Sequence, residues 1–237
     1  MPNRHLLFLI AALPALLFAR DQYPAAGEHP AAATAGSEHL LAPAAPLVAP
    51  ETARAVVEKF KGAYEKLGRP RIVFSVDRER LAAEVTPALT LADRQTIRDV
   101  ERLFGRPFRA AGVTLTDPVA AAPLLAGKPF RHFAAADNEQ TRRQREALTR
   151  IADVVIEVLI STRPVPVPSA AGDQTLILPD IQATAIRLSN SALLGSAAAR
   201  DLPGNGPEAA GGRPSDVNQI AEATALALME DIAAGAK

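Results

Sequence analysis

The chain has 237 residues, 48% of them hydrophobic, and its 26 basic side chains are balanced by 26 acidic ones. That is enough for one globular domain with extensions, and it leaves no overall positive field to gather nucleic acid or an acidic membrane. Aromatic residues, at 4%, are too few for a base-stacking platform, and the lack of cysteine excludes disulfides, thiolate chemistry, zinc fingers and the lipidated cysteine of a bacterial lipoprotein.

The N-terminal stretch MPNRHLLFLIAALPALLFAR has a basic start at Arg4, an apolar run from Leu6 to Ala19, and charge resuming at Arg20 and Asp21. This is the pattern of an export signal, residues 1–19, and it predicts a periplasmic protein. The best cleavage point, after Ala19, puts Leu17 where a smaller residue is usual, so an uncleaved N-terminal anchor is the alternative. The run is shorter than the ~20 residues that comfortably span a bilayer. Residues 20–50 are rich in alanine and proline and read as a flexible linker. His29 and His39 stand isolated in it, without the spacing of a metal site.

Residues 51–237 are predicted to form the folded domain. Val56, Val57, Phe60, Tyr64 and Leu67 recur at helical spacing before Gly68. PRIVFSVD places Ile72, Phe74 and Val76 on one face of a strand and Val73 on the other. The segment from Thr90, a candidate N-cap, to Gly105 reads as a helix burying Ile97, Val100 and Phe104. AGVTLTDP reads as a short strand, with Asp117 and Pro118 opening a short helix through Leu124 and Leu125. ADNEQTRRQREALTR is a charged helix with one exposed face.

IADVVIEVLIST, residues 151–162, is apolar on both faces and broken only by Glu157, so it is the expected central strand. The prolines of RPVPVPSAAGD are expected to end its pairing. TLILPDIQATAIRLSNSALLGSAAARD follows as two strands turning at SNSA, with a bulge near Ala185 and Ile186. A last helix starts near Asp216 and carries Ile220, Leu228 and Ile232 inward. The predicted class is α/β, a single mixed sheet with helices on both faces in the order αβα, βα, α, βββ, α.

Chemistry-bearing patterns are sparse. Asp153 and Glu157, two alternations apart on one strand face, would lie about 13 Å apart, too far for paired glycosidase carboxylates. A lone acid such as Glu157 marks a solvated strand end or pairs with an arginine. No nucleophile elbow, P-loop or dinucleotide fingerprint occurs. His132 has no cysteine partners for zinc and reads as a loop residue. The reading is therefore of a protein without catalytic, cofactor or metal residues.

Candidate partner-binding residues are Arg142, Arg143 and Arg145, the densest basic cluster, and Arg163, Pro164, Pro166 and Pro168 in a proline-rich segment that would lose little entropy on docking. The arginines are equally compatible with a solvated helix face offset by Glu139 and Glu146. Loops around 127–136, 163–174 and 202–215 are the expected contact regions.

GVTLTDPVAAAPLL, the strand IADVVIEVLIS, the meander DIQATAIRLSNSALLGSAAARD and the amphipathic C-terminal helix together resemble the CsgG/LpoB-like superfamily over roughly residues 70–234. That superfamily includes the curli secretion channel lipoprotein and an outer-membrane lipoprotein that activates a penicillin-binding protein. The resemblance implies an envelope protein that binds partners, as a regulator of cell-wall synthesis or an accessory of an outer-membrane export assembly, and carries over no catalytic residue. A homo-oligomeric ring subunit is a second expectation, and an enzyme of another type a third. Three features depart from the family pattern: the absence of a lipidation cysteine, Glu157 where the strand usually has glycine, and Asn190 and Ser191 where the turn usually has Thr-Gly. No transmembrane pore is expected, because its hairpins would need strands of ~9 to 11 alternating residues beyond those that complete the soluble sheet.

Overall fold

A computed structural model describes residues 46–79, 91–126, 128, 130–134, 138–167, 174–202 and 216–236. The predicted export signal and nearly all of the linker lie outside these residues, as do Thr90 and Pro168. Residues 45–237 form one compact unit.

The first helix, α1 (Pro50–Lys66), begins on a proline whose missing N–H costs nothing at that position, and turns inward Val56, Phe60 and Tyr64. Gly68, at φ +85°, supplies the left-handed stop. Strand β1 (Ile72–Arg78) follows. Helix α2 (Leu91–Ala110) continues past Gly105, where the sequence alone suggested an end, and through Pro107. The reason is packing: Phe104 and Phe108 extend the buried stripe of Val100 one more turn, and that burial outweighs the local preference.

AGVTLTDP does not form the expected strand. It contributes a single parallel bridge, Leu115 to Ile72, before Asp117 caps the short helix α3 (Pro118–Leu125) by accepting from the Val119 N–H at 2.9 Å. A 3-10 turn (His132–Ala134) and helix α4 (Glu139–Thr149), capped by Asn138, lead into β2 (Val154–Val167). Strands β3 (Gln174–Arg187) and β4 (Leu193–Ala198) complete the sheet. A second 3-10 turn (Ala199–Asp201) follows, and helix α5 (Val217–Gly235) starts with a capping box between Asp216 and Gln219.

The fold is α/β: one four-stranded mixed sheet in the order β1-β2-β3-β4, with β1 and β2 parallel and the other neighbours antiparallel. Between Ala185 and Ile186 the β3/β4 register slips, because β4 carries one extra residue there. One face of β2 presents Val154, Ile156, Val158 and Ile160 to the main core, shared with α1, α2 and α5. Phe60, Phe74, Phe104 and Phe108 interlock within it, for example Phe60 edge-on to Phe108 at 5.4 Å between ring centres. The opposite face places Val73, Val155, Ile186 and Leu188 under Ala121, Phe133 and Leu148, from α3, the first 3-10 turn and α4. Burial on both sides is why the central strand is apolar on both faces.

Candidate docking surface

The proline-rich segment corrects the sequence expectation. Residues 163–167 are not a loop: β2 continues through them, paired with β3 without a register break from Val154↔Arg187 to Val167↔Gln174. Backbone direction explains how prolines are accommodated. The Val154 N–H donates to Arg71 and the Ile160 carbonyl accepts from Glu79, so even-numbered residues of β2 aim their backbone groups toward the β1 side. Asp153 instead accepts from Leu188, on the β3 side. Pro164 and Pro166 are even, and β1 ends opposite Ile160. Their missing N–H groups therefore fall beyond the end of β1, on an edge that no described strand pairs.

Beyond Ile160 on one strand and Gln182 on the other, β2 and β3 extend past their outer neighbours as a two-stranded ribbon. Its two faces differ. Ser161, Val165, Leu178 and Asp180 are buried on one, while Thr162, Pro164, Pro166, Thr175 and Ile177 are exposed on the other. Pro164 lies directly across from Ile177, which is 63% exposed, and Pro166 across from Thr175. These are non-hydrogen-bonded pairs, the kind in which side chains approach most closely, so the exposed face carries a continuous uncharged strip.

Arg163 stands on the opposite face, half-buried, one residue from Asp180's partner Ser161 in the alternation. Asp180 is buried and ion-paired to Arg200 at 3.4 Å. Arg163 thus does not share a surface with Pro164 and Pro166.

The α4 arginines also divide. Arg142 and Arg143 are exposed and paired one turn away with Glu146 and Glu139. Arg145 is a correction: it is only 8% exposed and turns inward, because α4 packs that stripe with Thr141 and Leu148 toward the sheet. Arg143 and Glu139 border an open groove of ≈ 670 Å³ between α3 and α4, whose other wall is Pro123 and Leu124. α4 covers the face opposite the exposed strip, so the two predicted patches do not join.

Glu157 is a second correction. It is neither at a solvated end nor paired with an arginine side chain, but buried at mid-strand, 3% exposed, opposite Thr184. Its Oε1 accepts from the Phe133 N–H at 3.2 Å. The backbone N–H groups of Arg131 and His132, in the same turn, also favour the charged carboxyl, and Arg131 takes a left-handed φ of +62° there. The arrangement is a backbone nest closed over an internal carboxyl. Burial pushes the Glu157 carboxyl up to about 7, against the opposing pull of the three N–H groups and the Arg131 charge. Glu157 Oε2 and the Thr184 hydroxyl, neighbours across the strands, are both buried without a hydrogen bond. His132 is held by its Nε2 against Gln144 Oε1 at 2.7 Å.

Asp153, four residues earlier, sits outside the strand and is gripped by Arg71 through its backbone N–H at 2.8 Å and two guanidinium contacts at 3.1 Å. That grip holds the Asp153 carboxyl below the usual carboxylate range. Asp153 and Glu157 therefore do different work, one tying β1 to the start of β2, the other holding down the 3-10 turn. Among the described residues no group of three or more His, Asp or Glu side chains is gathered closely enough to hold a metal ion.

Pro164 and Pro166 are legible as contact candidates, but their place in a paired strip is hidden in the sequence because a proline ordinarily ends a strand. The detectable signal is the period of two in Pro164 and Pro166, which puts both missing N–H groups on one edge. Searches against protein-family models and curated proteins find no match for this chain.

Proposed function

We propose that this is an exported, non-enzymatic protein of the cell envelope that works by docking other proteins on the exposed face of the β2/β3 ribbon. The observation that carries this reading is the registered strip of Pro164, Ile177, Pro166 and Thr175 on an element that outruns the rest of its sheet. Prolines and an exposed β-branched side chain on paired strands lose little conformational entropy when covered, so their burial is available for binding. The resemblance to the CsgG/LpoB-like superfamily supports a partner in cell-wall synthesis or an outer-membrane export assembly, and the N-terminal signal pattern supports export. Among the described residues no helix is long and apolar enough to cross a membrane.

The test is affinity capture of the full chain from chemically crosslinked cells, compared with a Pro164→Asp/Ile177→Asp variant. The reading expects an envelope protein captured by the unaltered chain and lost with the variant at equal expression. Equal capture by both chains would move the docking site elsewhere, and no capture by either would remove the reading.

A further inference from the structure

The two edges of the ribbon are not equivalent. On β2 the outward-pointing positions past β1 are Thr162, Pro164 and Pro166, so only Thr162 has an N–H to offer. On β3 the Arg187 N–H donates to Ala192 on the β4 side, so odd-numbered residues point outward there. The described β4 pairing stops at Gln182↔Ala198, which leaves Thr175 and Ile177 with outward N–H and carbonyl groups before Pro179, which lacks an N–H. Both side chains are exposed. The stretch Gln174–Pro179 contains no charged residue, although charge on an edge is a common device against strand addition. Among the described residues one edge of the ribbon is blocked by prolines and the other has no strand paired to it.

We propose that the open edge of β3 pairs antiparallel with the same edge of a second copy of this chain, Thr175 of each opposite Ile177 of the other. The pairing is reciprocal about Leu176: both donors and both acceptors of each copy are used, giving two closely hydrogen-bonded residue pairs and a closed two-fold dimer. Pro179 limits it, since the next outward position can donate nothing. On the exposed face each row across the joined ribbons would run proline, isoleucine, threonine, proline, so the apolar strip of one copy continues into that of the other. Gln174–Pro179 carries no charged side chain, so no like charges stand directly opposite one another across the paired residues Thr175–Ile177. This is the argument for a like copy over an unlike partner. The inference rests on the docking reading and deepens it, because the dimer doubles the surface offered to an envelope partner.

The chain has no native cysteine, so single thiols report the register directly. Two full-length copies with different tags, one Thr175→Cys and the other Ile177→Cys, are co-expressed and mildly oxidised with copper phenanthroline. Directly opposed residues of a hydrogen-bonded antiparallel pair have Cα atoms about 5.5 Å apart, inside the disulfide range. The expected result is a mixed covalent dimer severalfold above Thr175→Cys with itself, Ile177→Cys with itself, and Thr162→Cys with itself, a control that leaves both prolines of the blocked edge in place. Absence of that excess overturns the proposal. If the mixed dimer is absent while Pro164 and Ile177 still govern capture of another protein, the self-pairing fails and docking stands; if capture is also absent, both fail.

Discussion

A carboxyl that burial holds protonated up to about pH 7 makes stability depend on pH with a definite sign. Between its ordinary value of 4.5 and about 7, folded Glu157 binds a proton that the unfolded chain has released. Its contribution is fully present below about pH 4.5 and is lost as the pH rises through 7. The size is on the order of 3 kcal/mol. Glu157→Gln keeps an oxygen for the Phe133 N–H and cannot ionise. The prediction is that it flattens this part of the stability profile and is more stable than the unaltered chain at pH 8, by about 1 to 3 kcal/mol. Denaturant titrations at pH 5 and pH 8 measure both; an unchanged pH dependence in the variant would contradict the buried-carboxyl account. Asp153 acts in the opposite sense: its Arg71 contacts stabilise the fold above the ordinary value of 3.8, and that contribution is lost as the pH falls through its lowered folded value. The sequence could single out Glu157 as the acid interrupting an apolar strand. It could not place the partners, because the Arg131 to Phe133 backbone reaches Glu157 only through the turn that tertiary packing imposes.

Element by element, what was legible follows from local periodicity. The stripe of α1, the Asp117 cap of α3, the two faces of β2, the β4 slip near Ala185 and the Asp216 start of α5 all rest on spacing or capping that neighbours do not alter. Two elements required tertiary information. AGVTLTDP has strand-forming residues but only one bridge to Ile72, and 163–167 stays in the sheet because its prolines face the side that β1 has vacated. If those prolines block the β2 edge, Pro164→Thr/Pro166→Thr restores two outward N–H groups and opens it. The prediction is concentration-dependent, open-ended association in light scattering, since a chain with two free edges can add copies on both. Scattering no greater than that of the unaltered chain would show that the prolines do not guard the edge. At the packing between β4 and α5, a Cβ on Gly195 would come within 2.8 Å of Ile232 Cγ1 and 3.0 Å of its backbone nitrogen. Gly195→Ala is therefore expected to cost about 1 to 3 kcal/mol by forcing α5 off the sheet, measured by the shift in chemical unfolding midpoint.

For the whole molecule, the two cores draw all their described residues from Leu47 to Ile232, and residues 45–237 form one compact unit. A chain beginning at residue 46 is predicted to unfold in a single cooperative transition, whereas loss of cooperativity would mean that the preceding residues belong to the fold. The central claim concerns where this domain meets other proteins. The most direct measurement is photo-crosslinking in intact cells with a photoreactive residue placed singly at Pro164, Ile177, Val119, Arg142 and Arg143. The account predicts defined adducts from Pro164 and Ile177, on the open ribbon face, and none from exposed Val119 of α3 or the two outward arginines of α4. Adducts arising mainly from Arg142 and Arg143, with the ribbon positions silent, would contradict it and return the docking site to the α4 face.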